Sequence, residues 1–215
     1  MKLPRPLLLT TAVALLQLPA ALRAEKIEIL TTPTADGEFS SPTALDAPEP
    51  DQMRDLELTA KTGKFYGQFY AAVFEFGLAE EYNGRNLESA KVEFSTNHTA
   101  KDGENAISPV EIEIIGYDGE NANGSVETAD WSSGASLGTA IGREEEIAAT
   151  GKLAPIDVTA FVQKAINEKK KFVGFRLAPK DLTGSLKEEG LIIRTSEFGV
   201  DFPGNEPKLI LNFAD

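Results

Sequence analysis

Cysteine is absent from the 215 residues. Its absence excludes disulfides, thiolate metal sites, a cysteine nucleophile and the cysteine anchor of an exported lipoprotein. Histidine occurs once, at His98. A lone imidazole has no second imidazole to share a transition metal with, and it lies upstream of the serine motif discussed below. Tryptophan also occurs once, at Trp131. Cations are scarce: 21 Lys and Arg stand against 34 Asp and Glu, a formal net charge of −13. Such a chain is a poor partner for nucleic acid or for an anionic membrane surface. Past the first two dozen residues there is no apolar run of membrane length.

Those first residues have their own logic. Lys2 and Arg5 precede a run from Leu7 to Leu18 broken only by Thr10, Thr11 and Gln17, and Ala20, Ala21 and Ala24 follow. A basic start, a short apolar run and a small-residue exit predict a secretory signal peptide over residues 1–24. Cleavage is expected after Ala24, with Ala21 as the alternative. The segment takes Lys2, Arg5 and Arg23 with it and no acid, so the mature chain is more acidic than the whole. An exported domain of this size without cysteine is expected from a bacterium, outside the cytoplasm, either secreted or periplasmic.

The remaining residues, 25–215, are expected to form one domain with a real core. Its clearest stretch is the C-terminal one. Asp157 is placed to cap a helix, and Val158, Phe161, Val162, Ala165 and Ile166 fall on one helical stripe, with Lys169 to Lys171 at the far end. Period-two alternation then marks strands at Phe172–Leu177, Leu191–Arg194 and Lys208–Phe213. Pro207 suits a strand start. Upstream, alternation marks strands at Glu25–Leu30, weakly at Asp55–Ala60, at Ala72–Phe76, at Ala90–Phe94 and at Val110–Tyr117. Residues 31–52 and 126–151 read as long polar loops, with weak order near Trp131 and from Leu137 to Ile141. Short strands between turn signals, with one helix near 157–168, predict an all-β fold: an antiparallel β-sandwich of jelly-roll type.

The order of these pieces resembles the DNRLRE-type β-sandwich domain, a group related to carbohydrate-binding module family ninety-six and to exported bacterial proteins of unknown role. The stretches that carry the resemblance are Ala72 to Leu78, Leu87 to Phe94, Ile156 to Thr159, Phe172 to Leu177, Thr195 to Glu197 and Pro207 to Leu209. They span residues 70–213. The resemblance implies a jelly roll without catalysis and an association with polysaccharide.

Several local patterns invite chemistry. Gly134-Ala135-Ser136-Leu137-Gly138 fits the spacing of a nucleophile elbow, but its flanks read as loop and no histidine follows it. Asp118 to Gly124 offers oxygen ligands for calcium, yet Ala122 falls where an EF-hand needs a ligand, so an acidic hairpin turn is the simpler reading. A structural calcium ion held by separate loops stays open. His98 reads as an exposed loop residue. The pairs Glu80-Glu81 and Glu188-Glu189 and the run Glu144-Glu145-Glu146 are adjacent rather than facing, which glycoside hydrolysis does not use. Asn97-His98-Thr99 and Asn123-Gly124-Ser125 are glycosylation sequons, relevant only to a eukaryotic source.

For sugar stacking the candidates are Trp131, Tyr66, Tyr70 and Tyr117. An aromatic face takes the C–H side of a pyranose, and a hydroxyl or indole N–H supplies a polar handle. Ordinary burial competes at each: Tyr66 and Tyr70 neighbour phenylalanines, and Tyr117 ends a strand. Trp131, in a turn-like segment, is the strongest of the four. The expected function is therefore a non-catalytic carbohydrate-binding or polysaccharide-associated module, with no cofactor, no nucleic acid and no membrane after signal cleavage. A structural or adhesive surface protein is the alternative.

Overall fold

The computed structural model describes residues 25–32, 34–42, 53–55, 58–96, 110–119, 121–180 and 190–214. In chain order the strands are β1 (Glu25–Leu30), β2 (Asp36–Ser41), β3 (Met53–Asp55), β4 (Thr59–Phe65), β5 (Gln68–Gly77) and β6 (Leu87–Glu93). Then come β7 (Val110–Asp118), β8 (Ala135–Gly142), β9 (Ile156–Asp157), β10 (Phe172–Pro179), β11 (Gly190–Arg194) and β12 (Lys208–Phe213). The helices are α1 (Glu144–Thr150), α2 (Thr159–Asn167) and α3 (Ser196–Asp201).

The strands form two sheets, and every pairing between them is antiparallel. The smaller sheet has four strands in the order β1-β12-β6-β9. The larger has eight, running β11-β4-β5-β10-β7-β8, with β2 paired to β5 and β3 to β2. The expected β-sandwich is therefore present. Its interior follows directly from period two. Ala72, Phe74 and Phe76 of β5, Val173, Phe175 and Leu177 of β10, and Ile112 and Ile114 of β7 face Ala90 and Val92 of β6 and Leu209, Leu211 and Phe213 of β12. Phe74 meets Phe94 with ring centroids 4.8 Å apart, and Phe76 meets Phe175 at 5.9 Å.

Helix α2 forms where its apolar stripe predicts. Val158, Val162, Ala165 and Ile166 are all buried. Asp157 ends β9 rather than opening the helix, yet its carboxylate still accepts from the Thr159 amide at 2.9 Å and the Thr159 hydroxyl at 2.6 Å. The helix does a second job. β9 is only two residues long, so most of the β6 edge lacks a partner strand. Side chains of α2 replace one: Thr159 Oγ1 accepts from the Ala90 amide at 2.9 Å, and Gln163 Oε1 accepts from the Leu87 amide at 2.6 Å.

Three segments depart from expectation. Residues 36–41, inside the expected 31–52 loop, form β2. That strand holds one large apolar residue, Phe39; its acids are buried on tertiary hydrogen bonds, with Glu38 accepting from the Lys61 amide at 2.6 Å. Such bonds override a weak local β preference. Residues 126–151, read as loop, hold β8 and α1. β8 is built from Gly, Ala, Ser and Thr around Leu137 and Ile141, which blurs alternation, while α1 closes on Gly151 in the left-handed conformation at φ 64°. Finally, α1 and α3 stand beside the one helix expected. The weak strand expected at Asp55–Ala60 is displaced: β3 ends at Asp55, β4 begins at Thr59, and Leu58 between them is exposed.

Candidate functional site: a groove between two sheet edges

The four aromatic residues singled out in the sequence are not brought together. Tyr66 sits at the tip of the β4–β5 hairpin, 84% exposed, in the left-handed region at φ 52° and followed by Gly67 at φ 75°. This is the geometry of a tight hairpin turn. Tyr70 is half-buried in the same hairpin, edge-on to Phe65 with Lys61 over its ring. β10 and β7 separate this hairpin from β8.

Tyr117 and Trp131 lie on the outer face of the larger sheet. Tyr117 is buried, and its ring crosses Gly174 so closely that a Cβ there would stand 2.1 Å from it. Trp131 is half-buried, with its ring T-shaped to Phe39 at a centroid distance of 6.1 Å. Both are less exposed than Tyr66.

Around these two rings the protein buries charge. Glu75, on β5, accepts from the amides of Asn123 and Gly124 at 2.9 and 2.6 Å. The turn read from sequence as a possible calcium loop thus points two amides at a carboxylate, as an anion cradle does. Asp130 accepts from the Glu127 amide at 2.7 Å, and Arg176 donates to the carbonyls of Asp130 and Trp131. Burial pushes the Asp130 carboxyl up to about 7, with the Glu75 charge adding to it. Burial likewise raises Glu75 and Tyr117 and lowers Arg176. Among the described residues Glu75, Tyr117 and Asp130 are all essentially inaccessible.

Among the described residues, a concavity open to solvent lies elsewhere. β8 ends the larger sheet and β9 ends the smaller one, and the gap between them forms a groove of about 450 Å³. Leu137 and Ala140 of β8 and Pro155 and Ile156 beside β9 supply apolar surface. Arg143, Glu146 of α1 and Asp157 supply charge, and Arg143 Nε lies 3.7 Å from Glu146 Oε1. A β-bulge shapes this wall. Ile114 pairs with Gly138 but Ile115 pairs with Ser136, so Leu137 is the extra residue, and Gly138 takes φ 139°.

No family model matches this chain, and no curated protein does.

The remaining sequence candidates resolve simply. Ser136 lies within β8, with no strand–turn–helix elbow around it. Glu80 and Glu81 lie in a single 3-10 turn, and Glu145 and Glu146 lie on α1. His98, the Asn97 sequon, Glu120, Glu188 and Glu189 fall outside the described residues. Among the described residues no group of three or more Asp, Glu or His could hold a metal ion. No described helix is long and apolar enough to cross a membrane. The groove residues were not legible as a site because α1 separates Arg143 from Asp157 in sequence and β8, which forms the other wall, carries little alternation. The one usable signal was the Leu137, Ile141 pair followed at once by charged residues.

Proposed function

We propose that this chain is an exported, non-catalytic β-sandwich module that binds a short stretch of polysaccharide in the groove between β8 and β9. The observation that carries this reading is the makeup of the groove. Aliphatic side chains stand beside a guanidinium and two carboxylates, and the whole is open to solvent. A sugar presents C–H patches beside hydroxyls, so it needs both. Planar charged groups hydrogen-bond hydroxyls in pairs, and aliphatic contact covers the ring. The volume lies within the usual range for ligand clefts. The resemblance to DNRLRE-type domains supports the same reading.

The test is retention of the Glu25–Asp215 protein on a panel of soluble polysaccharides, acidic ones included, with and without calcium. Arg143→Ala is expected to weaken retention about tenfold, the effect of losing one charge-assisted contact. Trp131→Ala is expected to leave it unchanged. Retention that depends on Trp131 or Tyr66 and ignores Arg143 would move the site to those rings. No retention anywhere on the panel would leave the structural or adhesive reading, which the open edge of β8 favours.

A further inference from the structure

A sheet edge presents unpaired amides and carbonyls, and proteins blunt such edges with charge, proline, shortness or a cover. The free edges here are treated unequally. β1 carries Glu25, Lys26 and Glu28, and β9 stops after two residues. β11 is bridged by Thr96, and the Arg194 amide donates to Ser95 at 2.9 Å. β6 is closed by the Thr159 and Gln163 side chains. β8 has none of these. It reads Ala-Ser-Leu-Gly-Thr-Ala-Ile-Gly, with no charge and no proline, and among the described residues no strand pairs with it besides β7. Its bulge spoils regularity at Leu137, but Gly138 to Gly142 keep unbroken register with β7.

That five-residue remainder is nearly a palindrome about Ala140: Gly138, Thr139, Ala140, Ile141, Gly142. Against an antiparallel copy of itself, Gly138 meets Gly142, Thr139 meets Ile141, and Ala140 meets Ala140. Gly138, Ala140 and Gly142 pair with Ile114, Ile112 and Val110, which are buried, so these three small residues share the core side. Thr139 and Ile141 share the other face, and Ile141 is exposed. The self-paired edge would thus set two β-branched pairs side by side with no like charge opposed, the favourable cross-strand combination.

We propose that the β8 edge pairs with the β8 edge of a second copy of this chain, antiparallel and centred on Ala140, joining two larger sheets into one. The contact is two-fold and closes on itself, so the product is a dimer rather than a fibre. One short strand pair buries less than a standard interface, so the dimer is weak. Because both copies are acidic, added salt strengthens it. The β8 edge is also one wall of the groove, so a second copy and a glycan would compete for it; the pairing itself needs no ligand, so failure of the glycan reading leaves it standing.

The experiment is sedimentation equilibrium of the Glu25–Asp215 protein up to about 0.5 mM, a range that reveals weak contacts. The wild type is expected to dimerise. Thr139→Lys with Ile141→Lys places lysine opposite lysine at both pairs and is expected to give monomer throughout. Thr139→Lys with Ile141→Glu places lysine opposite glutamate and is expected to restore the dimer. Circular dichroism confirms that each variant is folded. Without any variant, hydrogen exchange at residues 138–142 is expected to slow as protein concentration rises. A wild type that stays monomeric overturns the proposal, as does a dimer that survives the double lysine or fails to return with the charge swap.

Discussion

The protein buries two layers of very different chemistry, one on each side of the larger sheet. Between the sheets lies hydrocarbon: Phe74, Phe76 and Phe175 against Val92, Leu209 and Leu211. On the outer face, under residues 121–134, lie Glu75, Tyr117 and Arg176 with Phe39 and Val73, and Asp130 and Val126 of that segment turn in to meet them. Strands β5, β7 and β10 supply both layers through alternate residues, β7 giving Ile114 inward and Tyr117 outward. β5 gives Phe74 inward and Glu75 outward, and β10 gives Phe175 inward and Arg176 outward. The inner layer stabilises by removing apolar area from water and is sensitive to volume. The outer layer loses hydration of charged groups and holds only while their hydrogen bonds are made. Adjacent residues should therefore fail for different reasons.

The largest effect is expected in the inner layer. Phe175 is fully buried, touching Phe76 and Phe161 with centroids 5.9 and 5.7 Å away. Phe175→Ala is expected to cost about 3–5 kcal/mol in urea unfolding, and Phe175→Leu clearly less, because volume is what this layer needs. Equal costs for the two would show that ring chemistry rather than volume is at stake.

Next door, Arg176→Leu keeps bulk but leaves the carbonyls of Asp130 and Trp131 without their donor. An orphaned buried acceptor costs about 1–3 kcal/mol, so a loss of that order is expected from a substitution the inner layer would tolerate. Neutrality would mean that the outer layer behaves as apolar packing after all. A local signature accompanies the loss: hydrogen exchange is expected to quicken in residues 126–134 before the β5 and β10 amides respond.

The same contrast explains what was legible in the sequence. The inner layer announces itself by alternation, so β5, β6, β7, β10, β12 and the α2 stripe were all readable. The outer layer does not. Glu75 and Arg176 occupy the positions that alternation assigns to solvent, and only the covering segment from Asn123 to Trp131 makes them interior. That segment gave no periodic signal, since its order comes from the carboxylates of Glu75 and Asp130 gripping amides. β2 hid for a related reason: Asp36 and Glu38 are buried by partners distant in sequence. The groove was invisible because it is a gap between two strand ends, a property of topology rather than of any local run. Tyr117 and Trp131 were read for their chemistry, and the structure places both in the outer layer.

The smallest effect, and the sharpest test of the comparison, is in pH. Asp130 is pushed up to about 7 by burial, and Asp36, which accepts from the Thr31 hydroxyl and the Ser196 amide, is pushed up to about 7 by burial as well. Unfolded, each ionises near 3.8. Between those values the folded protein still holds protons that the unfolded chain has released, so stability falls as pH rises through the window and levels off above it. The exposed acids Glu28 and Asp157 are shifted down by hydrogen bonds to Lys26 and Thr159, so they act in the opposite sense and only at lower pH. Tm is therefore expected to decline from about pH 5 to about pH 8. Asp130→Asn is expected to flatten part of that decline, because its amide needs no proton to stay neutral. Asp36, at the N-terminus of α3, keeps the remainder, and Asp36→Asn with Asp130→Asn is expected to remove most of it. If Asp130→Asn and wild type run parallel across the whole range, Asp130 titrates like a solvated carboxylate and the outer layer is not the low-dielectric interior its burial describes.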